Sequence, residues 1–200
     1  MKKALIAGAA SAVLAAMPIV GVFAADGDLS QTDTVVVTVD SACSLATSNT
    51  GADYTATIAN GAFNTNIAGS TFTITCNDTG GWDLNAIGAG TATGDVTKMD
   101  ASTNKDADDI TTGTTLDGSV SNWAFKIAKG GSDASNITVT TGYDNFSAVP
   151  AASTKIAKGT STAGNSTITA TYGVGISATQ SAGTYTGKVT YTLAHPATTA

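Results

Sequence analysis

Arginine and glutamate are absent from the 200 residues: all 15 acidic side chains are Asp and all 9 basic ones are Lys. Both missing residues favour helix interiors, so their absence argues against helix. Histidine occurs once, as His195 beside Pro196 in a terminal stretch, and cysteine only twice. General acid and base chemistry would therefore fall to Asp alone. No serine stands in a strand-turn-helix nucleophile elbow and no glycine loop has phosphate-binding spacing, so the expectation is a protein that is not an enzyme and needs no cofactor. After residue 26 no window of helical length carries a sustained apolar period near 3.6 residues. There is no repeat at solenoid spacing and no linker dividing the chain in two.

What is present begins with Lys2 and Lys3, followed by an apolar and small-residue run from Ala4 to Ala24 that closes on Val22-Phe23-Ala24. This is the pattern of a secretory signal peptide, with cleavage expected before Ala25. A transmembrane span is the lesser reading, because the run is rich in Ala and Gly, holds Pro18, and is followed by acidic residues. The expected layout is a signal peptide at 1–24 and a single domain at 25–200. No cysteine follows the run closely enough for acylation, and residues 193–200 carry neither a sorting signal nor an apolar tail, so no covalent anchor is expected. Loss of Lys2 and Lys3 takes the formal net charge from −6 to −8. Such a surface repels nucleic acid and anionic lipid headgroups. The expected location is extracellular and associated with the cell envelope, with no nucleic-acid partner and no membrane contact after cleavage.

Threonine is the dominant polar residue and glycine numbers 22, a composition of strands joined by tight turns. Alternation supports this. Ile168, Ala170, Tyr172, Val174 and Ile176 alternate with Thr167, Thr169, Thr171, Gly173 and Gly175; after a turn at Gln180 to Gly183, Tyr185, Val189, Tyr191 and Leu193 alternate with Thr and Lys. The two segments predict an antiparallel hairpin. Shorter alternations occur at Val35/Val37/Val39, Phe72/Ile74/Cys76, Trp82/Leu84, Trp123/Phe125/Ile127 and Ile137/Val139. Seven or more short strands predict an all-β fold, an immunoglobulin-like two-sheet antiparallel sandwich. The stretch from about Gly88 to Ser121 is polar and reads as a long surface loop with one weak strand.

A secreted chain with two cysteines is expected to pair them, so Cys43 and Cys76 predict one disulfide closing a loop of roughly 33 residues. Asp100, Asp106, Asp108 and Asp109 offer the oxygen chemistry calcium takes but lack the ligand spacing and turn glycine of a calcium loop, so a solvated loop is the plainer reading. Trp82, Trp123, Tyr172 and Tyr191 lie on alternating segments and are expected in the core. Tyr143 and Phe146 fall in a loop ahead of Pro150, where either ring is open to ligand contact.

Two resemblances arise from these segments. Gly81-Trp82-Asp83-Leu84 contains a Trp-x-Leu, and Gly183 to Leu193 followed by Pro196 resembles the closing strand of WxL domains, with Tyr191 in place of the second motif's tryptophan. That resemblance implies a β-rich surface protein held non-covalently on peptidoglycan or another surface glycan, with Trp82, Leu84, Tyr191 and Leu193 as the wall-binding residues. The Cys43 and Cys76 pair is foreign to that family. Val37 to Leu45 and Thr73 to Cys76 are similar to the disulfide-bearing first strands of fimbrial and spore-coat-U-like subunits. This second resemblance implies a sandwich that assembles with copies of itself by strand pairing, with Thr34 to Val39 as a donor strand or as the domain's own first strand.

Overall fold

The computed structural model describes residues 36–37, 42–48, 54–90, 95–101, 109–160 and 162–194. The expected signal peptide, Asp106, Asp108 and His195 lie outside them. The chain divides after Thr38. Of the first part only Val36 and Val37 are described, both exposed and neither in a strand.

Within Val39–Ala200 the protein is all-β. The strands are β1 (Cys43–Thr47), β2 (Phe63–Cys76), β3 (Trp82–Gly88), β4 (Asp100–Ala101), β5 (Thr111–Thr112), β6 (Asn122–Gly131), β7 (Ile137–Val139), β8 (Thr154–Gly159), β9 (Thr162–Gly175), β10 (Tyr185–Thr186) and β11 (Val189–Ala194). A single 3-10 turn at Ala134–Asn136 is the one helical element among the described residues. The strands form a five-stranded sheet in the order β1-β2-β9-β6-β5, a four-stranded sheet in the order β11-β3-β8-β7, and a small β10-β4 pair. All ladders are antiparallel except β5 with β6, which is parallel.

Alternation explains which faces are buried. Phe72, Ile74 and Cys76 of β2, Trp82, Leu84 and Ala86 of β3, and Ile168 and Ala170 of β9 point into one core, while their Thr, Asn and Asp neighbours lie on the outer faces. Both large sheets contribute to that core: the Phe72 ring of the first lies 4.6 Å from the Tyr191 ring of the second, and Phe125 of β6 meets Tyr191 edge-on at 6.2 Å. Each large side chain so enclosed contributes about 1.5–3 kcal/mol. Cys43 and Cys76 face one another at the end of the β1-β2 ladder and are joined by a disulfide, as expected.

Three expectations are corrected. The hairpin does not form. β9 lies between β2 and β6, whereas β11 pairs with β3 in the other sheet. In the connection that follows β9, the carbonyls of Ala178 and Gln180 accept hydrogen bonds from Asn60 Nδ2. Alternation alone states that a strand is half-buried and leaves its partner open. Second, the polar stretch at 88–121 is more than a solvated loop: Ile110 and Leu116 are buried, Met99 and Ile110 form a bridge, and its described residues hold two short strands where one was expected. Leu116 packs on the outer face of β9, where a Cβ on Gly173 would come 2.5 Å from its Cδ1. Third, β8 goes unpredicted, because adjacent Ile156 and Ala157 are both buried and break the alternation; a bulge in β8 at Ile156, between the Leu84–Ala157 and Asn85–Lys155 pairs, accommodates them.

Candidate functional site

The structure brings the Trp-x-Leu segment and the closing strand side by side: Leu84 is the register partner of Leu193, and Ala86 that of Tyr191. Their surroundings differ from a binding surface. Trp82 and Leu84 are 0% exposed. The indole of Trp82 lies against Gly159, where an added Cβ would sit 2.3 Å from the ring. Enclosed in this way, neither side chain can reach a glycan, and the role given to Trp82 and Leu84 is corrected to core packing. Tyr191 and Leu193 are partly exposed.

The acidic candidates separate. Asp100 lies in β4, and Asp109 Oδ1 accepts a hydrogen bond from the Ala101 amide at 3.1 Å. Among the described residues no group of three or more His, Cys or Asp could hold a metal ion. Asp95 and Asp117 build turns. Asp95 Oδ1 accepts from the Thr97 hydroxyl and amide at 2.6 and 2.9 Å, and Asp117 Oδ1 accepts from Ser119 in the same manner. These hydrogen bonds hold both carboxyls below the ordinary carboxylate pKa. Tyr143 and Phe146, whose exposure the sequence leaves open, are each half-buried. Tyr143 packs on Phe125 with ring centroids 5.4 Å apart, and Lys126 Nζ lies 4.8 Å above the Phe146 ring.

The feature that stands out is a groove of about 1190 Å³. It runs between β11 and the inner faces of β1, β2 and β9, and its apolar wall includes Leu45, Ile67, Phe72, Val174 and Val189. β11 borders it as an edge strand. One side of β11 pairs with β3, and the other has no strand partner among the described residues. Edge strands present a row of backbone N–H and C=O groups ready for a further strand. Here that row opens onto apolar side chains of the facing sheet.

Four tyrosines line the groove: Tyr54, Tyr172, Tyr185 and Tyr191. Tyr172 and Tyr191, from opposite sheets, share a hydrogen bond between their hydroxyls at 3.1 Å. Tyr54 bonds the Ser70 hydroxyl at 2.9 Å and lies 6.3 Å, ring to ring, from Tyr172. Burial raises the pKa of Tyr172, and raises that of Tyr191 further, with the neighbouring Tyr172 adding to the effect. Both phenols therefore remain neutral near neutral pH and act as hydrogen-bonding groups. Alternation identifies the inward-facing residues of β2, β9 and β11, but the groove itself depends on which edge is left unpaired. Comparison with known proteins found no matching family model, no matching curated protein and no matching solved structure.

Proposed function

We propose that this chain is a secreted, non-catalytic surface protein with an immunoglobulin-like sandwich domain, working as a structural subunit that accepts an extended strand beside β11. The edge of β11 that has no strand partner among the described residues, running along an apolar groove, is the observation that carries this reading. Strand addition supplies main-chain hydrogen bonds along the edge, while alternate side chains of the incoming strand enter the groove and give selectivity. The leader-like segment at 1–24, the acidic composition and the disulfide are consistent with an oxidising, extracellular setting.

A second reading keeps attachment to peptidoglycan or another surface glycan. It is favoured by the rings of Tyr54, Tyr172 and Tyr185 along the groove, since aromatic faces stack on sugar rings, and it no longer draws on Trp82 or Leu84. Native size analysis of extracellular material, combined with amide hydrogen exchange, separates the two. Strand acceptance predicts oligomers in which the β11 amides exchange more slowly than in the monomer. Monomer alone, sedimenting with purified peptidoglycan, would replace the first reading by the second.

A further inference from the structure

We infer that Asn60 is a site of spontaneous deamidation, and that its modification loosens a segment lining the groove, whatever the groove accepts. Asn60-Gly61 is the one place in the chain where glycine follows asparagine. Glycine has no side chain to keep its backbone nitrogen away from the neighbouring carboxamide, so the two groups can close on one another. Both residues are exposed, which admits the water the reaction consumes. They form the centre of a tight turn, in which the Ala62 amide donates to the Ala59 carbonyl at 3.1 Å and Gly61 has a φ of 74°.

In the reaction the Gly61 nitrogen bonds to Asn60 Cγ and the bond from Cγ to Nδ2 breaks. The departing nitrogen takes up the Gly61 proton and leaves as ammonia. Water then opens the cyclic imide at either carbonyl, giving an aspartate by one route and, by the other, an isoaspartate whose main chain is longer by one carbon. In the closed turn the Gly61 amide donates to the Ile176 carbonyl at 2.9 Å, and the Ile176 amide donates to Ala62. These bonds lie just beyond Phe63 and Gly175, the last register pair of β2 and β9. The end of a ladder opens more readily than its centre. Opening there frees the attacking nitrogen, so the fold paces the modification instead of forbidding it.

The Asn60 side chain joins that turn to the segment after β9. Its Nδ2 donates to the carbonyls of Gln180 at 2.8 Å and Ala178 at 3.4 Å. Residues 180–186 line the groove and are tied together internally: Gln180 Nε2 donates to the Tyr185 hydroxyl, which donates to the Ser181 carbonyl. The segment is anchored at one end by Ser177, whose amide donates to Ser121 Oγ, and at the other by the pairing of Tyr185 with Ala101. Asn60 holds the span between. A carboxylate in place of the carboxamide has no N–H to donate and sets negative oxygens against two carbonyl oxygens. The isoaspartate route also shifts Gly61 away from Ile176. Either product releases the span, and this wall of the groove moves outward.

The test uses the full chain, aged in mildly alkaline buffer at physiological temperature and mapped by peptide mass. Replacement of NH2 by OH is expected at Asn60 ahead of every other asparagine, with isoaspartate in the same peptide. Aged wild type and a fresh Asn60→Asp variant should both show about tenfold faster amide hydrogen exchange across residues 178–186, as loss of the two hydrogen bonds implies, with β3 and β8 unchanged. Acidification below the carboxylate range returns an O–H donor to Asn60→Asp. Exchange corrected for its intrinsic pH dependence should then slow in that variant and stay fast in Asn60→Ala. An Asn60 that stays intact while a synthetic peptide of residues 57–64 deamidates would overturn the site, because the bond from Gly61 to Ile176 would then forbid the step. Modified protein whose exchange across 178–186 matches that of fresh wild type would overturn the loosening.

Discussion

The hydroxyls of Tyr172 and Tyr191 meet at 3.1 Å although their strands belong to different sheets. The contact ties β9 to β11 at the groove, and burial raises both phenols above the ordinary value of 10.0. The sign of the consequence is fixed by linkage. In the unfolded chain these groups lose protons near pH 10, while the folded chain retains them, so stability is fully present below that pH and falls as pH rises above it towards the folded values. Urea midpoints should be level between pH 7 and 9 and decline above pH 10, and Tyr191→Phe should make the decline shallower. An unchanged slope in that variant would remove Tyr191 as its source.

Trp82→Ala should cost about 3–5 kcal/mol, because the side chain is wholly enclosed. Loss of folded protein, rather than selective loss of glycan binding, is the expected outcome in denaturation and sedimentation assays.

Gly159→Ala should destabilise without removing any group. Its Cβ would come 2.3 Å from the Trp82 ring, and that ring has no free space into which to turn. Overpacking of this kind costs about 1–3 kcal/mol, read as a lower urea midpoint.

Replacing both cysteines by serine should lower stability by about 3–4 kcal/mol, through release of a loop closed by residues 33 apart. Intact mass of secreted wild-type protein should match a chain beginning at Ala25 with two fewer hydrogens than the reduced form. Free thiols in unreduced material would contradict the expectation.

Tyr191→Ala should cost about 3 kcal/mol, through loss of its packing on Phe72 and Phe125. Thr190→Ala, on the exposed side of the same strand, should stay within about 0.5 kcal/mol. Equal sensitivity at the two positions would mean that β11 is turned over.

The all-β class, the disulfide and the inward faces of most long strands were legible in the sequence, because each follows from local composition or parity. Tyr172 and Tyr191 show where legibility stops. Their shared parity correctly suggested a common core, yet the reason inferred, adjacent strands of one hairpin, was wrong; their hydroxyls meet across two sheets. Trp82 shows the same limit in a motif. A three-residue pattern identifies a side chain suited to stacking but does not state whether the fold encloses it. Ile110 and Leu116, isolated in a polar stretch, offered no period by which their burial could be read. The groove was hidden for a different reason: an open edge is a property of sheet order, and no local window encodes it.

The position of the disulfide has a mechanical consequence. Cys43 is the first residue of β1, so tension entering the domain from the preceding segment reaches the covalent link before it reaches any strand ladder. The link passes it to Cys76 at the end of β2, a strand of 14 residues held by β1 on one side and β9 on the other. A pull along β2 must shear many ladder hydrogen bonds together instead of peeling β1 away one bond at a time. Reduction would move the point of failure to the five residues of β1, so a domain loaded through its leading segment should yield at lower force when its cysteines are reduced.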